Sequence, residues 1–366
     1  MMAPLDGVHV LDLSLLLPGP LCGQILRDLG AEVTKIEPPE PGDYAKLWPP
    51  HIDGVAATYF AINRGKRIIS LDMKSDAGRS EFLELAAGAD VVLEGFRPGV
   101  MDRLGVGFAK LSEINPRIVM CSISGYGQSG PLVSRAGHDI NYQALAGVLS
   151  ISGGSEASPA NPPLQVADTA AGSYGGAMLI LAALLERERT GRGRHVDISM
   201  SEQLLPLMSG AYATSGATGE NPRRDGEMLS GGAPCYRIFR TADGRFLSLG
   251  ALEPKFWDDV IKTLVRGGGD ADALAAIPHL GSEQTQAHVD LLAGVIATKT
   301  RDEWVALFAE ADACCEPVLE FDEVIAHPQW QARGSFVELK AVDGTRLRVP
   351  KMPASLAGFD TSEARG

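Results

Sequence analysis

The sequence predicts an α/β protein, with a doubly wound parallel sheet in a large N-terminal domain and a smaller α+β domain after it. Three observations carry this. Short β-branched runs alternate with helical stretches through the first half, and strands separated by helices of that length must pair in parallel. Between Ser215 and Gly232 the composition shifts to Gly, Asn, Pro and charge with little periodicity, which marks a linker. Beyond it, hairpin and helix signals replace the alternation.

Val8–Leu13 reads as the first strand, Leu21–Leu29 as a helix closed by Gly30, and Ala31–Ile36 as the second strand. Arg67–Leu71, Asp90–Leu93 and Arg117–Cys121 follow, with Arg79–Ala87 helical between the first two. The early turn Pro18-Gly19-Pro20 lacks the G-x-G-x-x-G pattern, so nothing supports a nicotinamide cofactor. A long helix is expected from Asp168 to about Glu188, with Gly191 and Gly193 placed where a helix terminus wants them. These elements assign residues 1–215 to the large domain, 216–232 to the linker and 233–329 to the small domain, with 330–366 completing the large one. In the small domain, Tyr236–Leu249 reads as a hairpin with a tight primed turn at Asp243-Gly244. Helices follow at Glu253–Leu264 and Gln284–Ala297, then one opened by a capping box from Thr300 to Glu303. A last hairpin, Phe336–Val349, has Asp343-Gly344 at its tip.

Composition narrows the functional classes. With 33 Lys and Arg against 46 Asp and Glu, the 366 residues carry a formal charge of −13, which argues against a nucleic-acid or membrane-surface protein. Hydrophobic residues at 45% and charged residues at 22% exclude disorder as the default state. No Lys or Arg precedes the first apolar residues and no small-residue cleavage pattern follows, so the N-terminus does not read as a secretory signal. The longest apolar stretch, Ala177–Leu185, falls short of the roughly 20 residues of a membrane helix. A cytoplasmic protein is expected. Cys22, Cys121, Cys235, Cys314 and Cys315 are scattered and odd in number, which suits neither a disulfide framework nor a metal site and predicts reduced, buried side chains.

Four places could carry chemistry. His138, in Gly137-His138-Asp139-Ile140-Asn141-Tyr142, stands where apolar residues at helical spacing begin, so it would sit at a helix N-terminus whose unpaired N–H groups suit an oxyanion. A capping or packing role explains the same residue. Asp168 opens the long helix and Glu253 starts another before Pro254, and both are also ordinary first-turn acids. Arg64, Lys66 and Arg67 precede one strand and Arg97 follows another. In an acidic protein, cations at the carboxyl ends of parallel strands point to a phosphate site, with solvated surface charge as the alternative.

Together the segments Glu94–Val100, Ser124–Pro131, Gly137–Tyr142, Arg189–Gly193 and Gly250–Trp257 resemble, in order and spacing, the family III coenzyme A transferases, and within them the α-methylacyl-CoA racemases. The resemblance runs over nearly the whole chain. It implies a Rossmann-like large domain, a small domain, and an interlocked homodimer whose active site lies between the large domain of one subunit and the small domain of the other. Carried over by position, His138 and Asp168 match the acid/base pair flanking the substrate α-carbon, and Glu253 the carboxylate that hydrogen-bonds the histidine. Asp139 follows the histidine at the oxyanion-binding helix start, while Arg64, Lys66, Arg67 and Arg97 fall in segments near the CoA nucleotide. No tightly bound cofactor is implied, since the acyl-CoA substrate carries the CoA moiety. Two departures stand out: Gln165 lies where racemases have Asn in the run before the aspartate, and Pro38 replaces an Arg after the second strand. The expected reaction is interconversion of (R)- and (S)-2-methylacyl-CoA through an enolate. The alternative is CoA transfer to a carboxylic acid through an Asp168 intermediate, which requires the carboxylate but gives His138 and Glu253 no role.

Overall fold

A computed structural model describes the chain except residues 1–2, 53, 154–157, 225, 282–284, 342–343, 353–354, 357–358 and 361–366. The chain divides into two compact units. The larger takes the chain up to Val148, Pro162–Ser209 and the return from Ile325; the smaller takes Leu149–Asn161 and Gly210–Val324.

The large unit is built on six strands, β1 (His9–Asp12), β2 (Glu32–Glu37), β3 (Arg67–Ser70), β4 (Val91–Glu94), β5 (Val119–Ser124) and β6 (His195–Ser199). They lie in the order β3-β2-β1-β4-β5-β6 and every pair is parallel. Their β-branched and apolar side chains fill two cores, one on each face, as a doubly wound sheet requires. The first face packs α1 (Pro18–Asp28) and α6 (Gly175–Thr190); the short α2 (Ala57–Ile62) precedes β3, and the second face packs α3 (Asp76–Ala87) and α4 (Phe108–Ile114). Helix α1 opens on Pro18 and Pro20, where missing N–H groups cost nothing, and the chain leaves it through Gly30 at φ 106°. At α3 the Ser75 hydroxyl accepts the Gly78 N–H at 3.0 Å.

The long helix differs from expectation at its start. Residues Ala167–Tyr174 are π-helical and the α-helical part runs only over α6. Ser173 sustains the wider turn: its hydroxyl donates to the Pro18 carbonyl at 2.7 Å and lies 3.0 Å from that of Asp168. A Cβ on Gly172 would come within 3.0 Å of Pro18 and 3.2 Å of Met200, so a small residue is needed for α1 to approach. By length and composition the 24-residue run Ala167–Thr190 would also pass for a membrane span, contrary to the reading from its longest apolar stretch. Here Ala171, Ala177, Ile180, Ala183 and Leu184 are buried in the core of the large unit.

In the smaller unit, β7 (Tyr236–Arg240), β8 (Phe246–Gly250) and β9 (Cys315–Pro317) form an antiparallel sheet covered by α8 (Pro254–Arg266), α9 (Gln286–Ile296) and α10 (Arg301–Phe308). Trp304 is fully buried and donates its indole N–H to the Ile296 carbonyl at 2.7 Å. The capping box expected at Thr300 and Glu303 is present, with the Glu303 carboxylate 2.8 Å from the Thr300 N–H. The β7–β8 turn is not the primed type. Only Gly244 has positive φ, 79°, while Asp243 keeps negative φ and accepts the Thr241 hydroxyl at 2.5 Å, giving an ordinary turn closed by a left-handed glycine.

The unit boundary also moves. Residues 216–218, read as the start of the linker, lie inside helix α7 (Ser209–Thr218), whose small residues form no apolar stripe for a periodicity reading to detect. Leu149–Asn161 leaves the large unit, and the Ser150 carbonyl accepts from Arg224 at 3.0 Å. The final hairpin pairs Phe336–Lys340 with Arg346–Pro350 around Gly344 at φ 87°; Asp343 lies outside the described residues. Just beyond it, Met352 packs on the large unit's core and donates its N–H to Asp28 at 3.0 Å. Cys22, Cys121 and Cys235 are buried as expected, whereas Cys314 is exposed, with φ 46° at the entry to β9.

Candidate active site

In the large unit a cavity of about 920 Å³ opens at the carboxyl ends of β1, β4 and β5. That is where the strand order of a doubly wound sheet reverses, and the loops leaving β1 and β4 on opposite sides leave a crevice. One part of the lining is apolar, from Leu15, Leu16, Leu17, Phe96, Ile123 and Met200. The polar part brings together His138, Asp139, Gln165, Asp168 and Arg97.

The wall after β1 rests on buried charge. Leu16 adopts φ 68°, a conformation that costs a side-chain-bearing residue of order 1–3 kcal/mol. It is held there because its N–H lies 3.2 Å from both oxygens of Asp43. Asp43 pairs in turn with Lys35 at 3.1 Å, and Lys35 donates to the Ser14 carbonyl at 2.7 Å. Neither side chain of this pair reaches solvent.

His138 is the N-cap of α5 (Asp139–Leu145), as its position after Gly137 predicts. Its backbone N–H donates to Asn141 Oδ1 at 3.0 Å, and its ring is left at the cavity wall. Tyr142, one turn on, donates its hydroxyl to the Gly137 carbonyl and fixes the turn before the histidine.

Asp139 works differently from a group facing substrate. It is buried, Oδ1 accepts the N–H groups of Ala167 at 2.8 Å and Asp168 at 3.1 Å, and Oδ2 accepts the Gln143 amide at 2.5 Å. Oδ1 thus caps the π-helical turn from another part of the chain, while Oδ2 is held within α5 by Gln143. Asp168 therefore sits inside that turn rather than capping it, half-buried and beside a carboxylate. Burial first, and the charge of Asp139 second, push its carboxyl up to about 7.

The four expected CoA cations separate. Arg97 lines the cavity. Arg64 pairs with Asp28 and donates to the Ala61 carbonyl at 3.0 Å, and Arg67 is exposed on the edge strand β3; neither is in the lining. Lys66 corrects its reading most plainly. Its ammonium donates to Asp12 at 3.0 Å, the Pro20 carbonyl at 2.7 Å and Asn63 at 3.0 Å, so no N–H is left for a phosphate. Glu253 belongs to the smaller unit as the N-cap of α8, exposed and with no side-chain capping bond. Gln165, the departure before the aspartate, does reach the cavity wall. Pro38 directly follows β2 and is absent from the lining. Sequence reasoning gave no role to Lys35, Asp43 or Glu94; only the place of Glu94 three residues before Arg97 could have signalled any of them.

A Rossmann-like sheet with a histidine and a shielded aspartate at its switch point defines the class. The chain belongs to the family III CoA-transferases, and the family model, CoA-transferase family III, matches residues 5–366. It is 39% identical over 339 residues to human α-methylacyl-CoA racemase, covering 93% of this chain and 84% of that protein. It is also 33% identical to acetyl-CoA:oxalate CoA-transferase of Acetobacter aceti, over 99% of this chain and 91% of the relative. Among solved structures it is similar to a CAIB/BAIF family protein from Brucella suis, with a TM-score of 0.83 at 30% identity, covering 98% and 94% of the two chains.

Proposed function

We propose that the protein is a 2-methylacyl-CoA racemase in which His138 and Asp168 exchange the proton on the carbon next to the thioester. The observation that carries this is the presence in the lining of one cavity of an imidazole and of a carboxyl whose proton affinity is raised to near neutrality. A two-base inversion needs one group holding a proton and one lacking it, and groups that titrate near the working pH perform both tasks efficiently. One removes the α-proton, the electron pair moves into the thioester carbonyl as an enolate, and the other group returns a proton to the opposite face. The N–H groups of Asp139 and Ile140 at the start of α5 would meet the enolate oxygen. The apolar wall takes the branched acyl chain and Arg97 the CoA moiety, which the substrate brings with it. The family resemblance further implies an interlocked homodimer in which Glu253 orients the histidine of the other subunit.

The second reading is CoA transfer, supported by the transferases among the relatives. Its nucleophile would be ionised Asp168, and a carboxyl raised to about 7 is about half ionised at neutral pH; this reading needs the aspartate but gives His138 no role. Incubation of a 2-methylacyl-CoA in D2O without any acceptor acid separates the two. A racemase incorporates α-deuterium and interconverts the epimers, and His138→Ala lowers that rate by about a hundredfold or more. Absence of α-deuteration, with CoA moved to a free carboxylate and an adduct on Asp168, would establish the transferase.

A further inference from the structure

The turn that carries Arg97 into the large cavity also borders a second, smaller one of about 80 Å³. Glu94, Arg97, Asp102, Ser122, Gln128 and His195 contribute to its lining. Glu94 ends β4, is 4% exposed, and its Oε2 accepts the Phe96 N–H at 2.6 Å. Across the ladder it pairs with Ser122 of β5, whose hydroxyl hydrogen-bonds the carboxyl and lies 2.9 Å from Nε2 of His195. The His195 ring is itself held by stacking on Phe108, with centroids 5.5 Å apart. At the far end of the turn, Gly99 takes φ 77° and the Val100 N–H donates to the Arg97 carbonyl at 3.1 Å. The turn Gly95–Pro98 is thus tied at both ends, and Glu94 is its tie to the sheet.

We infer that Glu94 is a positioning residue for Arg97: by holding the Phe96 N–H it fixes the turn from which the guanidinium reaches the CoA moiety. The inference rests on the reading of Arg97 as a CoA contact. Ser122 from β5, Asp197 from β6 and Asp102 from the short helix Val100–Arg103 act on the Glu94 carboxyl, and His195 of β6 and Arg97 line the same small cavity. Burial pushes the carboxyl up to about 7, helped by the charges of Asp102 and Asp197 and opposed by the bonds from Ser122 and Phe96. An ionised carboxylate accepts an N–H more strongly than a neutral acid does. The turn is therefore held most firmly above neutrality and loosens as Glu94 takes up a proton.

The test is calorimetric titration of CoA into wild type, Glu94→Gln, Glu94→Ala, Arg97→Ala and the Glu94→Ala/Arg97→Ala double variant at pH 6 and 8, with KM and kcat measured alongside. Arg97→Ala is expected to weaken binding about tenfold and Glu94→Ala about fivefold, on the scale of single hydrogen bonds to charged groups. In the double variant the Glu94 effect disappears, and KM takes more of the change than kcat. Glu94→Gln, which keeps the shape and one acceptor oxygen, binds at both pH values as wild type does at pH 6 once the titration of CoA common to all variants is subtracted. A Glu94→Ala effect of unchanged size in the Arg97→Ala background overturns the inference, as does a wild-type pH dependence identical to that of Glu94→Gln. An Arg97→Ala protein with undiminished CoA affinity instead overturns the reading of Arg97, and the role of Glu94 with it.

Discussion

Replacing Asp168 by Asn should abolish turnover and at the same time stabilise the protein in alkaline buffer. The folded chain raises the Asp168 carboxyl from its ordinary 3.8 to about 7, through burial and the neighbouring Asp139. The sign follows from linkage. Between those two values the native state holds a proton that the unfolded state has released, so native stability falls as pH rises through that window and stays low above it. Integrating from pH 5 to pH 8 with these two values gives a loss of roughly 2–3 kcal/mol for wild type, an upper bound because the group is only half-buried. Asn keeps the shape and cannot ionise, so Asp168→Asn escapes the loss. Urea unfolding followed by circular dichroism at pH 5, 6, 7 and 8 measures it directly. The stability difference between variant and wild type should widen steadily with pH in favour of the variant. A difference that stays constant across the four buffers, or that narrows, would refute the account of the site as a place where charge is held at a cost for the sake of proton transfer.

Asp139→Ala removes the acceptor for the Ala167 and Asp168 N–H groups and also the neighbouring negative charge. It should lower both kcat and stability, and the pKa governing the acidic limb of the rate profile should fall, whereas Asp139→Asn, which keeps an acceptor oxygen, should recover part of the stability in the same unfolding assay. Lys66→Met leaves Asp12 buried without its closest cation. Loss of one partner of a buried pair typically costs about 3–5 kcal/mol, so the variant should unfold at markedly lower urea concentration, and an unchanged midpoint would count against the buried pair.

Much of the architecture is written locally in the sequence. Five of the six parallel strands stand at the short apolar runs read as strands, with β6 passed over, and helix starts at His138, Glu253 and Thr300 follow from neighbouring residues, because caps and turns are settled by groups within about four positions of each other. His138 and Asp168 could be singled out for the same reason. Their working state could not. Asp139 reaches N–H groups 28 and 29 residues away, Ser173 holds its π-helical turn through a carbonyl 155 residues away, and Lys66 meets Asp12 across 54. A lysine in a basic run reads as a phosphate ligand until the fold shows its three N–H groups already engaged. Proton affinity is likewise a property of the packed surroundings, since burial and the approach of a second carboxylate exist only once distant segments are in place. The sequence alone determined which residues could do chemistry here; tertiary structure decided which face the cavity, which hold others in position, and which carry a proton at neutral pH, because desolvation and long-range hydrogen bonds have no local signature.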